Sequence, residues 1–248
     1  MIAIILAAGK SERLKPLTKD VPKTLLKVNG RAILERIFEN IHEFVDKIYI
    51  VTGFAAEKIE KELNSLKKRY DKEIITVYNP QYASKNNCYS VLVGLQQLRE
   101  SPDDILLING DDVFTREIIE KLLREAKSKP RSILVIDNVK ELGEEEMKVL
   151  LNNNKIVKIS KKIDPKKAFG EFIGISIIRK KDLERVIKAL EYISEHHPNL
   201  YYEDAYQRMI DQGFVFDYVT TDGAFWNEID TLEDLFFTER ALGKLEKF

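Results

Sequence analysis

The chain has 248 residues, 44% of them apolar, with 40 Lys and Arg against 41 Asp and Glu for a net charge of −1. That length and apolar share can supply one sizeable core, while the even charge balance excludes a general attraction to nucleic acid or an anionic membrane, so any anion site is local. No apolar run approaches the roughly 20 residues of a bilayer crossing, and the single cysteine, Cys88, cannot form an internal disulfide; both point to a cytoplasmic protein without membrane insertion.

The chain opens on an apolar run at residues 2–6, the length of a buried strand and too short for a secretory segment. Ala7, Ala8 and Gly9 follow, small enough to let backbone approach a ligand, and then Lys10, Arg13 and Lys23 in a proline-punctuated loop. Three cations near exposed backbone N–H groups suit a polyphosphate. Ile33, Leu34, Ile37, Phe38 and Ile41 recur at the spacing of one helix face, which predicts a helix over 32–44. A strand is expected at 47–51, a helix at 55–69, and a strand at 73–78 that Asn79-Pro80 stops. Asn86-Asn87 precedes a helix at 88–98 with an asparagine cap. A strand at 104–108 then runs into Asn109-Gly110-Asp111-Asp112, followed by a helix at 115–126 and a strand at 132–136.

Such alternation predicts an α/β fold: a Rossmann-like, doubly wound, mainly parallel mixed sheet with ligands at the carboxyl ends of its strands. The second half is less regular, with strands expected at 148–151, 156–160 and 169–177, helices at 181–194 and 203–212, and strands at 214–219 and 224–229. Thr231 opens the last helix, with Glu233 and Asp234 in its first turn. No repeat or linker divides the chain. A single domain is expected over 1–248, its nucleotide-binding half about 1–137 and its acceptor-binding, closing half about 138–248.

Asp111 follows a buried strand, at the ligand-bearing edge of the sheet. Glu228 and Asp230 are two apart and point the same way in an extended segment. Mg²⁺ prefers hard oxygen ligands, so these three carboxylates could hold it if the segments meet; alternatively Asp111 merely ends a strand and Asp230 caps the last helix. Asp112 points the opposite way and is expected to hydrogen-bond locally. His42, His196 and His197 lie in helix-end contexts, and Cys88 reads as packing. Tyr201-Tyr202-Glu203-Asp204 could hold a cation or a polyol, or anchor a core. A cationic loop facing a carboxylate-held metal suits phosphoryl or nucleotidyl transfer, in which positioning and charge neutralisation supply most of the acceleration and no histidine is required.

Leu6-Ala7-Ala8-Gly9-Lys10-Ser11-Glu12-Arg13-Leu14, with Pro16-Leu17-Thr18 and Val21-Pro22-Lys23, resembles the signature of the sugar-phosphate nucleotidylyltransferases. The likeness continues through Asn109-Gly110-Asp111, Gly170-Glu171 and Glu228-Ile229-Asp230 and covers essentially the whole chain. Asn86 to Ser90, Tyr201 to Asp204 and Trp226 to Asp230 make it most similar to the short cytidylyltransferases acting on phosphocholine and inositol 1-phosphate. The resemblance implies that Leu6, Ala7, Ala8 and Gly9 approach the nucleotide and that Lys10 and Arg13 hold its β- and γ-phosphates. Asn87 and Ser90 would lie near the nucleotide. Lys23, with Arg13 and Asp111, would serve catalysis between the α-phosphate and the acceptor. Asp111, Glu228 and Asp230 would bind Mg²⁺, and Glu171, Tyr202 and Asp204 would face the acceptor.

The implied reaction is Mg²⁺-dependent transfer of CMP from CTP to a small phosphorylated alcohol, with a homodimer left open. Ser11 stands where the motif has its second glycine, so a positive φ there would be strained. For the acceptor, the tyrosines beside acids could cage phosphocholine. Lys and Glu dominate the charged residues while Gln and Cys are scarce, a bias associated with hot environments. Relatives in such microbes make CDP-inositol, which ranks inositol 1-phosphate ahead of phosphocholine, with sugar 1-phosphates taking UTP or GTP behind. A dinucleotide oxidoreductase is disfavoured because only one glycine precedes the cationic loop. A non-catalytic nucleotide-binding regulatory module on the same fold would be expected to lose Lys23 or the carboxylates.

Overall fold

In the computed structural model, which describes residues 1–245, the apolar run Ile2–Ala7 forms β1, the centre of the sheet. It pairs in parallel with β4 (Lys47–Thr52) on one side and β6 (Ile105–Asn109) on the other, so Ile4 lies between Tyr49 and Leu107. A strand flanked on both sides reads as a continuous apolar run, because neither of its faces meets water. Its alternate side chains serve two cores. Ala3 and Ile5 pack under α1 (Ile33–Ile41), α2 (Ala56–Tyr70) and α4 (Arg116–Ala126), while Ile2 and Ile4 pack under α3 (Asn87–Gln96) and α5 (Leu183–His196). Helices therefore cover both faces, as the alternation predicted.

The remaining elements complete one sheet and two small ribbons. Between β1 and α1, β2 (Lys27–Val28) and β3 (Arg31–Ala32) form a hairpin turned by Asn29 and Gly30, both at positive φ. Later strands are β5 (Glu73–Tyr78), β7 (Asp112–Phe114), β8 (Ile133–Asp137), β9 (Lys148–Asn152), β10 (Lys155–Ser160), β11 (Gly170–Ile178), β12 (Asp217–Thr220) and β13 (Trp226–Glu228). The helices α6 (Tyr202–Asp211) and α7 (Leu232–Leu245) belong to the second half. The sheet runs β10-β9-β11-β6-β1-β4-β5, with β8 on β11 and β12 on β8.

Four strands form the expected parallel row, β5-β4-β1-β6. The fifth expected member, β8, does not extend it, because β11 inserts antiparallel between β6 and β8. Gly174, at φ +74, breaks the β11 register where a Cβ would lie 2.2 Å from the Asn109 amide. That bend splits β11 between partners. Its far end joins β9 and carries Glu171.

A further finding is β7, a strand to which the sequence reading assigned no element. It pairs with β13 so that Glu228 faces Asp112 and Trp226 faces Phe114. This ribbon binds two segments more than a hundred residues apart. It brings Asp111 beside Glu228 and Asp230, the Asp111 carbonyl accepting from the Ile229 N–H at 3.1 Å.

Candidate active site

At the carboxyl end of β1, Ala8 and Gly9 form part of the wall of a cavity of about 300 Å³. The loop after β6 lies directly against β1: a Cβ on Gly110 would stand 2.1 Å from the Leu6 carbonyl, so only glycine lets Asp111 reach this edge. Ser11 occupies the left-handed region at φ 49, ψ 57, and its carbonyl accepts a 2.7 Å bond from Thr18 Oγ1. The motif position thus does have the backbone that glycine prefers. Leu6, Arg13, Lys23, Asn87, Ser90 and Asp111 also line this cavity. Ala7 faces a small adjoining space. Lys10 is not in the lining; its ammonium lies 5.7 Å over the ring of Tyr82, which is.

Lys23 is the most heavily paired cation of this cavity. Its side chain is only 9% exposed, and its ammonium is 2.7 Å from Asp111 Oδ2 and 2.7 Å from Asp230 Oδ1. Arg13 Nη2 takes the other oxygen of Asp230, also at 2.7 Å. Burial opposes the lysine's charge, but Asp111, Asp230 and Glu228 together outweigh it and raise its pKa. Glu228 behaves oppositely: burial, then the neighbouring Asp111 and Asp230, push its carboxyl up to about 8. Burial also pushes at Asp230, yet Lys23 and Arg13 hold its carboxyl below the usual range.

Carboxylate oxygens of Asp111, Glu228 and Asp230 lie within 4.8 Å of one another. Oxygens around one Mg²⁺, each about 2.1 Å from it, are at most about 4.2 Å apart, so modest side-chain movement would let these hard donors share a divalent cation. Asp112 differs from the expectation of local hydrogen bonding. It is 2% exposed, its Oδ2 has no partner, and burial with the adjacent Asp111 raises its pKa well above normal.

A second cavity, of about 350 Å³, adjoins the first and shares Arg13, Asn87, Asn109, Tyr201, Glu228 and Asp230 with it. Glu171 lines it and accepts from Lys140 Nζ at 3.2 Å; burial pushes the Glu171 carboxyl up to about 7 despite that lysine. Two residues expected on the acceptor side lie elsewhere. Tyr202 is fully buried in the core, its hydroxyl donating to Asn109 Oδ1, and Asp204 accepts from the Tyr201 N–H at 2.8 Å as a helix cap. Neither lines the cavity. Tyr201 and Glu203 do.

Sequence reasoning missed Tyr82, Lys85, Lys140 and Lys161 as lining residues, while Tyr201 and Glu203 belong to the stretch it names as able to hold a cation or a polyol. The first two lie in the irregular stretch after β5, and Lys140 and Lys161 flank the β9–β10 hairpin. A cluster of lysines in a loop was the available signal, but it looks like any solvated surface. Ser90 is placed in the first cavity by accepting from Asn79 Nδ2 at 2.9 Å, and Asn87 by accepting from the Tyr202 N–H at 3.1 Å.

The sheet, with its glycine loop facing an acidic cluster across Lys23, defines the class as an α/β protein of the nucleotide-diphospho-sugar transferase type. The profile of the MobA-like NTP transferase domain matches residues 3–209, and the chain belongs to that family of nucleotidyltransferases. It is 30% identical over 230 residues to the bifunctional protein GlmU of Methanococcus maripaludis, covering 92% of this chain and 51% of that protein. The chain thus spans about half the length of such relatives. A choline-phosphate cytidylyltransferase of Haemophilus influenzae is 29% identical, with 94% of each chain covered. The inositol-1-phosphate CTP transferase of T. maritima shares the fold with a TM-score of 0.79 at 24% identity, over 96% of this chain and 94% of the other.

Proposed function

We propose that this chain is a Mg²⁺-dependent cytidylyltransferase that moves CMP from CTP onto a small phosphorylated alcohol, either inositol 1-phosphate or phosphocholine. The observation that carries the reading is Lys23, a buried cation in the wall of the first cavity that bridges Asp111 and Asp230, the latter shared with the second cavity. In the reaction, an acceptor phosphate oxygen attacks the α-phosphorus of CTP in line. A new P–O bond forms, the α–β bridging bond breaks, and pyrophosphate leaves with its electron pair.

Backbone at Ala8 and Gly9 lets the triphosphate approach closely, and Arg13 with Lys10 offsets the charge of the leaving group. Lys23 offsets charge on the pentavalent centre while holding the acceptor oxygen near the phosphorus. Asp111, Glu228 and Asp230 would hold Mg²⁺, which when bound neutralises phosphate charge and orients the triphosphate. Asn87 and Ser90 border the nucleotide. The curated relative named as a choline-phosphate cytidylyltransferase, matched along almost its whole length, supports the choice of CTP.

The test is a matrix of CTP, UTP, GTP and ATP against inositol 1-phosphate, phosphocholine and hexose 1-phosphates, read as pyrophosphate release. CTP is expected to be the best nucleotide. No release with any pair refutes enzymatic transfer. UTP or GTP with a hexose phosphate as the best pair refutes the cytidylyl reading and leaves the family assignment standing.

A further inference from the structure

We infer that Lys140 is a specificity-determining residue of the second cavity, selecting a polyhydroxylated acceptor phosphate and rejecting a quaternary ammonium one. The inference rests on the proposed transfer reaction and names the chemistry of its acceptor.

A quaternary ammonium is recognised by aromatic faces with carboxylates behind them. The cavity contains both, in Trp226, Tyr201 and its acids. Yet the faces are already taken: Lys140 Nζ lies 5.3 Å over the Trp226 ring, and Lys161 Nζ lies 5.1 Å over the Tyr201 ring. Each ammonium also has its own acids. Lys140 pairs with Glu171 at 3.2 Å and Glu146 at 3.7 Å, and Lys161 with Glu145 at 3.4 Å. A trimethylammonium group would have to displace a lysine from both ring and carboxylate. The carboxylates attract any cation, but the lysines stand between them and an incoming one.

The frame around Lys140 is fixed. Lys148, fully buried, donates to the carbonyls of Gly143, Glu144 and Glu146 at 2.9, 2.8 and 3.2 Å, which anchors the loop carrying Glu146. Glu171 is 5% exposed at the end of β11. Glu203 also lines this cavity; it is 5% exposed and its Oε2 has no hydrogen-bond partner. A buried polar atom of this kind favours a ligand that can bond to it. A trimethylammonium can neither donate nor accept an ordinary hydrogen bond. A hydroxyl does both, so it satisfies Glu203 in either protonation state and takes a donor from Lys140 as well.

The experiment compares kcat and KM for inositol 1-phosphate and phosphocholine, with saturating CTP, in the wild type, Lys140→Met and Lys140→Arg. Lys140→Met keeps the aliphatic stem over Trp226 and removes the charge. Wild type should favour inositol 1-phosphate by at least about tenfold in kcat/KM, and Lys140→Met should cut that ratio at least about tenfold, mainly through KM, with Lys140→Arg restoring it. A wild type that favours phosphocholine, or a ratio unmoved by Lys140→Met, overturns the inference while cytidylyl transfer stands. If UTP replaces CTP as the nucleotide, the same ratio measured with UTP decides. No pyrophosphate from any pair overturns both.

Discussion

Replacing Lys23 by Met removes one charge from the middle of three carboxylates and leaves a side chain of similar length. Each ion pair at 2.7 Å has a gross attraction of about 6 kcal/mol at an effective dielectric constant of 20, but desolvation of the ammonium cancels much of it. Removing one partner of a buried pair costs about 3–5 kcal/mol because the remaining charge is stranded. Asp111 and Asp230 are 28% and 25% exposed, so water screens them and the lower end, about 3 kcal/mol, applies. For a chain of this size that lowers Tm by about 6–12 °C.

The loss should be largest in a chelator and should shrink with millimolar Mg²⁺, which then takes over the carboxylates that Lys23 no longer neutralises. Turnover with CTP and the preferred acceptor should fall about 10²–10³-fold, the usual cost of removing one donor from a developing negative charge. KM for CTP should change less than about threefold, since Arg13 and the loop backbone still hold the triphosphate. Thermal scans with and without Mg²⁺, beside steady-state pyrophosphate assays, read both effects. Turnover within about threefold of wild type would remove Lys23 from the mechanism. An unchanged Tm in chelator would refute the ion-pair argument itself.

Ser11→Gly should raise stability by about 0.5–1 kcal/mol at unchanged denaturant m-value, because relief of the left-handed φ of 49° exceeds the added chain entropy; a lower unfolding midpoint would show that the serine side chain contributes something the backbone argument omits. Gly110→Ala, whose Cβ would meet the Leu6 carbonyl at 2.1 Å, should push Asp111 from the sheet edge and lose both stability and activity; a fully active variant would falsify that close approach. Glu203 has its carboxyl pushed up from 4.5 to about 8 by burial first, with Asp204 adding to it. The folded state therefore binds this proton more tightly than the unfolded one, and its contribution to stability, full below pH 4.5, is lost as pH rises through 8. Glu203→Gln should flatten the fall of Tm across that window, and parallel curves for variant and wild type would count against it.

Much of the fold was legible because it is local. Residues 73–78 were expected as a strand and are β5, and Asn86 caps α3 by accepting from the Asn87 N–H at 2.7 Å. Apolar periodicity and cap chemistry act within a few residues of chain, which a sequence displays directly. The insertion of β11 beside β6 is of another kind. Its residues have strand character whichever neighbour they pair with, and only the Gly174 bend allows three partners at once. The β7–β13 pairing was equally hidden: a strand was expected at 224–229, but Asp112–Phe114 is too short to show as a strand until Trp226–Glu228 arrives opposite it. The meeting of Asp111 with Asp230 depends on that pairing, so spacing alone left two readings open.

The misplacement of Tyr202 shows why the acceptor side resisted reading. Tyr201 to Glu203 enters the first turn of α6, where successive side chains rotate by about 100°. Tyr201 and Glu203 therefore border the second cavity while Tyr202, between them, points into the core against Phe172 and Tyr206. Its polar groups are not idle there. The backbone N–H donates to Asn87 Oδ1 and the hydroxyl to Asn109 Oδ1, and both asparagines line both cavities. A residue expected to touch the acceptor instead holds in place two that line both cavities. Its influence on either ligand passes through Asn87 and Asn109, so the start of α6 couples the two cavities without forming an aromatic cage in either.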